Sequence, residues 1–342
     1  MSSSSKKSHS IHSWHRFPES IYKGSRHHAS GFPRQVVRFF YLLCLSTPML
    51  PVAGMQKKEA PKFGALVDLV SLDVEVLDRH GNPVTGLAQE AFVVKENGRI
   101  RKTTHFAELA DRPVSLSLVL DVSGMPRAEV SMGKQFIFRL AHTLSPNDEL
   151  CLYTFNDRDA YLEQDFTRDR VPLMEALRNI DVALGRKGAF FKDLLGLDPR
   201  TGLAIDVALQ HLRKGNNEKR AVLVISNRFK GLGPATVEHI QESGFTLLTL
   251  CFRNKSNWLL TLGGNQITRN TLMKQSGGRK FSADTEDITG TCRAIAHSLK
   301  NHYSLGYPTE IGTGRQKRRT VEVLIPGKDF SIYSRRSYVP PR

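Results

Sequence analysis

The chain has 342 residues, of which 40% are hydrophobic and 24% are charged, which is the composition of a globular protein and excludes a disordered or collagen-like chain. Its formal net charge is +16, but seven of the lysines and arginines lie in residues 1–54, where Glu19 is the only acid. No stretch of the sequence combines aromatic and basic residues as a nucleic-acid-binding surface does, so we expect no nucleic-acid partner.

The amino-terminal segment, residues 1–54, has the layout of a secretory signal peptide. Residues 1–33 are rich in Ser, His and basic residues without an apolar period, which predicts a disordered leader. A basic flank from Arg34 to Arg38 then precedes a short apolar run, and small residues follow as far as Gly54. We therefore expect a periplasmic or secreted protein that is cleaved near Gly54. The alternative is an uncleaved signal, which would be the protein's one membrane anchor.

Two β-rich stretches flank the middle of the chain. Residues 66–77 alternate apolar and polar side chains as a half-buried strand does, and Asn97-Gly98 is a strong hairpin signal, with Arg99 to Phe106 expected to return as one partner strand. Residues 302–340 show the same pattern, in which short predicted strands alternate with turns. We predict that residues 64–112 and 302–340 fold together as one antiparallel β-domain.

Residues 113–301 alternate buried strands with helices, which predicts a doubly wound, mostly parallel α/β sheet, Rossmann-like, inserted into the β-domain. The polar-alternating stretch from Tyr161 to Phe166 is expected to be an antiparallel strand of this sheet. Ligands of such sheets bind where the carboxyl ends of the strands meet, and that rule points to Asp121, Thr201 and Asn227.

Four cysteines are present, and their spacing matches neither a zinc site nor a redox CxxC motif. Cys44 lies in the export segment. Cys151 and Cys251 lie in apolar, strand-like runs, where a buried thiol is the simplest interpretation. A disulfide bond between Cys251 and Cys292 stays open, because the sequence does not give the distance between them.

Asp121-Val-Ser-Gly, at the end of the first parallel strand, is the most informative motif. Three further stretches are informative when they are taken with this motif. They are Val70 to Leu87, Glu90 to Gly98, and Tyr303-Ser-Leu-Gly-Tyr followed by a basic β-rich tail. Together they resemble the bacterial VWFA-related family, in which a von Willebrand factor type A (vWA) domain is flanked by β-strands. The resemblance covers nearly all of the chain after the signal segment.

The resemblance implies a metal-ion-dependent adhesion site, in which Asp121, Ser123, Thr201 and Asn227 occupy the positions of the metal ligands. Two of the family's ligands are replaced here, because Met125 stands at the second serine and Asn227 stands at an aspartate. Mg²⁺ prefers charged oxygen ligands, and a thioether binds it poorly. We therefore expect a degenerate site with weak or absent Mg²⁺ binding.

The resemblance implies an exported, non-enzymatic protein-interaction module whose protein partner the sequence does not identify. One alternative is a structural or scaffolding protein of the cell envelope that binds through its β-domain or through the basic tail around Arg318 and Arg319. A second alternative is a Rossmann-type enzyme, but the chain has no glycine-rich phosphate loop, GxSxG elbow or HExxH motif. We therefore expect neither catalytic residues nor an organic cofactor.

Overall fold

A computed structural model describes residues 67–122, 125–156, 158–181, 201–227, 234–252, 272–283, 287–310 and 318–340. The predicted disordered leader and signal peptide, residues 1–54, lie outside the described residues, and so does Ser123. None of the helices in the described ranges has both the length and the apolar composition of a membrane span.

The middle of the chain forms a six-stranded sheet. In spatial order its strands are β10 (Lys280–Ala283), β9 (Thr246–Phe252), β8 (Lys219–Ile225), β5 (Val114–Asp121), β6 (Glu149–Phe155) and β7 (Ala160–Thr167). Neighbouring strands are parallel except β7, which pairs antiparallel with β6 at the edge and so confirms the prediction for this strand. Every residue of β5 is buried, as expected for a central strand that is covered on both faces.

Helices cover both faces of this sheet. They are α1 (Arg127–Thr143), α2 (Arg170–Asn179), α3 (Thr201–Leu212), α4 (Pro234–Ser243) and α5 (Ile288–Lys300). Leu118 and Leu120 of β5 belong to the apolar cluster that includes residues of α1, α2 and α5, whereas Val119 belongs to the cluster with α3 and α4. This division follows from the alternation of side chains along a strand.

Two four-stranded antiparallel sheets form the β-domain. The first sheet has the order β13 (Ser331–Tyr333), β1 (Val67–Leu77), β11 (His302–Glu310) and β4 (His105–Leu109). The second has the order β14 (Ser337–Tyr338), β12 (Arg319–Leu324), β2 (Val93–Glu96) and β3 (Arg99–Arg101). Leu72 and Leu305 of the first sheet share one apolar core with Val94 and Val321 of the second, so the two sheets pack face to face.

Strand pairing joins the two segments of the β-domain that precede and follow the inserted α/β sheet in the chain. β11, from the second segment, pairs antiparallel with both β1 and β4 of the first. The predicted fold class, a doubly wound, mostly parallel sheet inserted into a small antiparallel β-domain, is confirmed. The hairpin at Asn97-Gly98 is also present, and both residues have the positive φ (49° and 76°) that a two-residue turn of this kind requires.

The single return strand predicted from Arg99 to Phe106 is wrong. β3 ends at Arg101 in the second sheet, and β4 begins at His105 in the first. Between them the chain crosses from one sheet to the other, and the backbone N–H of Thr104 donates to the carbonyl oxygen of Gly306 over 2.8 Å.

Cys251 and Cys292 lie on opposite faces of the six-stranded sheet. Leu250 and Phe252, the neighbours of Cys251 in β9, pack in the same apolar cluster as Cys292. Cys251 therefore points to the other face, where its Sγ lies 3.4 Å from Ser282 Oγ. In this fold the two thiols are free. A disulfide bond between them would require the Cys251 side chain to move to the opposite face of the sheet.

Candidate metal and partner-binding site

The candidate site lies at the carboxyl-terminal edge of the six-stranded sheet, where β5 and β8 end side by side. Leu120 of β5 pairs with Ile225 of β8, so Asp121 and Ser226 follow at the same level. Ser226 Oγ donates a hydrogen bond to Asp121 Oδ2 over 2.7 Å, and both side chains are buried. β6 lies on one side of β5 and β8 on the other, so this edge is also the point where the strand order reverses.

Asn227, the next residue along the chain, links three elements through its side chain. Its Oδ1 accepts from the backbone N–H of Phe252 at the end of β9 over 2.7 Å, and its Nδ2 donates to Glu129 Oε2 over 2.6 Å. Glu129 lies in the first turn of α1 and is only 3% exposed. An amide serves both contacts because it carries a donor and an acceptor, whereas an ionised aspartate only accepts.

Met125, which stands at the family's second serine position, is fully buried. Its side chain belongs to the apolar cluster that also holds Leu120, Val122 and Val130. The side chain therefore contributes to the hydrophobic core, and the position offers no oxygen ligand.

Thr201 is the first residue of α3, and its side chain is fully buried. α3 packs against β5 and β8, the two strands that carry Asp121 and Asn227. The structure therefore brings Asp121 and Asn227 to one edge of the sheet and places Thr201 on a helix packed against the same strands.

Two residues of this edge, Ser226 and Glu129, were missed by the sequence reasoning. Ser226 directly precedes Asn227 at the end of an apolar run, so the strand-end rule that pointed to Asn227 was a signal for it as well. Glu129 gave a weaker signal, since an acid in the first turn of a helix is ordinarily explained by the helix dipole.

The side chains described at this edge fit a divalent cation poorly. Asn227 Oδ1 is neutral and already accepts a backbone N–H, while Met125 offers only a thioether inside the core. Nowhere in the described ranges do three or more His, Cys, Asp or Glu side chains group in a way that could hold a metal ion. Hard divalent ions depend on several charged oxygen ligands, so this donor set favours hydrogen bonding over metal coordination.

Several solved structures are similar to the chain. An aerotolerance-related membrane protein from Bacteroides fragilis is 19% identical, with 54% of this chain and 98% of that chain covered and a TM-score of 0.40. The SpRpn10 VWA domain is 10% identical, with 54% and 93% covered and a TM-score of 0.37. The PilB minor pilin from Streptococcus sanguinis is 9% identical, with 56% and 63% covered and a TM-score of 0.37.

The sequence comparisons are more limited in extent. None of the curated proteins compared with the chain matches its sequence. The family model for the von Willebrand factor type A domain matches residues 116–229, which run from β5 to just beyond Asn227. This match confirms the resemblance for β5 to β8 of the inserted sheet, and on it we assign residues 116–229 to the von Willebrand factor type A domain family.

Proposed function

We propose that this protein is an exported, non-enzymatic protein-interaction module. Its binding face is the carboxyl-terminal edge of the vWA sheet around Asp121 and Asn227, and its dependence on metal is weak or lost. Membership of residues 116–229 in the vWA family supports the general role, because vWA domains are interaction modules as a class. The signal-peptide layout predicted for residues 1–54 supports the location outside the cytoplasm.

The observation that carries this proposal is the double hydrogen bonding of Asn227. Turning Oδ1 of Asn227 toward a metal ion would break its bond with the Phe252 N–H and take the amide donor away from Glu129. Each lost hydrogen bond costs about 1 kcal/mol, and a buried carboxylate that loses a donor costs more. The neutral amide offers the ion no charge in return, so the free energy favours the hydrogen-bonded arrangement over a metal-bound one.

Thermal unfolding with and without divalent cations tests the metal part of the proposal. A ligand that binds only the native state stabilises it by about 2.7 kcal/mol at a hundredfold excess over its Kd. We expect the same melting temperature in EDTA, in millimolar Mg²⁺ and in millimolar Mn²⁺. A rise of several degrees with either cation would show that the edge still binds metal.

Affinity capture from a cell-envelope extract tests the binding face. Asp121→Asn keeps an acceptor for the Ser226 hydroxyl but removes the charge. We expect this variant to lose a partner that the wild type captures, while its melting temperature stays close to that of the wild type. Glu242→Gln, at an exposed position of α4, is the matched control. Asp121 is buried and acts on a partner through its charge, so equal capture by a folded Asp121→Asn variant would rule out the charged edge as the binding face.

The alternative role as a scaffold that binds through its basic tail gains no support from the two tail residues that the structure describes. Arg318 Nη1 donates to Gln241 Oε1 over 2.9 Å, and Arg319 Nη1 lies 3.3 Å from Glu96 Oε1. Both guanidinium groups therefore stabilise contacts within the chain. Loss of capture by Arg318→Gln, with capture retained by Asp121→Asn, would favour the scaffold role over our proposal.

A further inference from the structure

A polar cleft of about 250 Å³ lies where the β-domain meets the amino-terminal edge of the vWA sheet. Its walls include Ser71 and Asp73 of β1, Lys219 at the start of β8, Thr246 at the start of β9, and Arg335 after β13. The cleft is separate from the proposed binding face, because Lys219 is the first residue of β8, whereas Ser226 and Asn227 follow the last residue of the same strand. Junctions between domains are frequent sites for small ligands.

Each of the three carboxylates of the cleft has a short ion pair, and Asp73 also lies 3.8 Å from Arg112 and 3.3 Å from His302. The short pairs join Lys219 Nζ to Asp73 Oδ2 (2.7 Å), Arg112 Nη2 to Glu218 Oε2 (2.5 Å) and Arg279 Nη1 to Glu75 Oε1 (2.7 Å). Burial by itself raises the pKa of Asp73, but the Lys219 ammonium and His302 outweigh burial and hold that pKa below its ordinary value. Asp73 is therefore ionised at neutral pH, and its carboxylate is already paired with neighbouring side chains of the chain itself.

Arg335 is the cation lining this cleft that forms no ion pair with a carboxylate among the described residues. Its Nη2 makes one long hydrogen bond, 3.4 Å, to the carbonyl oxygen of Ser71, and its guanidinium carbon lies 5.4 Å from the centre of the Tyr338 ring. The buried Nε has no hydrogen-bond partner in the described part of the chain. Nη1 and Nη2 carry four donors between them, and Nη2 makes the one hydrogen bond found for them among the described residues, so donors of both nitrogens remain for a ligand.

Two glycines allow the backbone to approach this arginine closely. Gly244 and Gly277 both have positive φ, 68° and 72°. A Cβ on Gly277 would lie 2.7 Å from the backbone nitrogen of Arg335, and a Cβ on Gly244 would lie 3.3 Å from Nη1. A side chain at Gly244 would crowd the guanidinium and one at Gly277 would crowd the backbone of Arg335, so both glycines permit the position that Arg335 takes at the wall of the cleft.

We propose that this cleft binds a small oxyanion, a carboxylate or phosphate group, on the guanidinium of Arg335. The fork of a guanidinium matches two oxygens of such an anion, and hydrogen bonds between charged groups are the strong ones. The hydroxyl groups of Ser71 and Thr246 add polar contacts to the same walls. The volume is below the range of about 300–1,000 Å³ that is usual for drug-sized ligands, so the ligand is a small ion and not a nucleotide.

Isothermal titration calorimetry of the full chain in a Tris-chloride buffer tests this site. Inorganic phosphate and succinate are the two probes, and uncharged 1,4-butanediol is the control for succinate. We expect saturable binding of at least one oxyanion and no binding of the diol. The absence of saturable binding for both anions, or equal binding of the diol, would overturn the proposal.

Three variants assign the binding to Arg335. Arg335→Gln removes the charge and should weaken binding about tenfold or more, whereas Arg336→Gln, at its exposed neighbour, should leave it unchanged. Ser71→Asp places a carboxylate beside the intact guanidinium at an exposed position and should also weaken binding about tenfold. If Arg335→Gln does not fold, the affinity of the Ser71→Asp variant for the oxyanion tests the assignment by itself. Wild-type affinity in a folded Arg335→Gln or Ser71→Asp variant, or an equal loss in Arg336→Gln, would disprove the assignment.

Discussion

The side-chain amide of Asn227 donates to the buried carboxylate of Glu129 over 2.6 Å, and it thereby ties the end of β8 to the first turn of α1. The resemblance to the vWA family places Asn227 where that family usually has an aspartate that serves a metal ion. Here the neutral amide makes a contact that an aspartate at neutral pH cannot make, because two carboxylates at this distance repel each other.

Asn227→Asp should therefore destabilise the fold at neutral pH. We expect a loss of about 1–3 kcal/mol in the free energy of unfolding at pH 7. Urea unfolding at pH 7 measures the difference. Asn147→Asp, at an exposed position, is the control, and equal stability of the Asn227→Asp variant and the wild type would contradict the role of this hydrogen bond.

Met125→Ser restores the family's serine but removes a fully buried side chain from the core. Truncation of a buried methionine typically costs about 2–5 kcal/mol, so we expect a clear fall in the urea midpoint. Val171→Ser, at a position that is 61% exposed, should change the free energy of unfolding by no more than about 0.5 kcal/mol. Similar effects of the two substitutions would mean that Met125 does not pack in the core.

Glu96, at the end of β2, is the hydrogen-bond centre of the β-domain. Its carboxylate has no exposed surface, and it accepts from Arg101, Thr309, Arg319 and Tyr338. Burial by itself raises the pKa of Glu96, but the hydrogen bonds from Tyr338, Thr309 and the arginines outweigh it and lower the pKa below its ordinary value of 4.5. The stability that this carboxylate contributes is therefore complete above the ordinary value and is lost as the pH falls below it.

Glu96→Gln should reduce both the stability at neutral pH and its dependence on acid. We expect the variant to be less stable than the wild type at pH 7, and to lose less free energy of unfolding between about pH 5 and about pH 3. Chemical unfolding across this range gives both quantities. Glu322→Gln, an exposed change in β12, should retain the wild-type pH dependence. A parallel decline in Glu96→Gln and the wild type would show that another group controls the acid response.

The three cysteines that the structure describes should differ in reactivity. Burial raises the pKa of both Cys151 and Cys292 to about 12, whereas Cys251 is partly exposed. Because the thiolate is the reactive form, alkylation near pH 8 should label Cys251 first and should reach Cys151 and Cys292 only after unfolding. Peptide mapping by mass spectrometry identifies the labelled sites. A peptide that joins Cys251 to Cys292 by a disulfide would contradict the placement of these residues on opposite faces.

The sequence alone predicted the strands and helices of the vWA sheet, because the period of buried residues along a chain is set by local backbone geometry. The same reasoning brought Asp121 and Asn227 to one edge, since the carboxyl ends of parallel strands meet there. It failed between Arg99 and Phe106, where the residues continue the pattern of a single strand while the chain crosses between two sheets.

Only the tertiary structure showed that Asn227 bonds to Glu129, that Met125 lies in the core, and that Arg335 stands beside Ser71 without a carboxylate partner among the described residues. The residues of these contacts are far apart in the chain: 98 positions separate Asn227 from Glu129, and 264 separate Arg335 from Ser71. Local patterns carry no information about such pairs, because the packing of whole strands and helices determines which distant side chains meet. The sequence thus determined the type of fold and the edge where a site would lie, and the packing decided the chemistry of that edge.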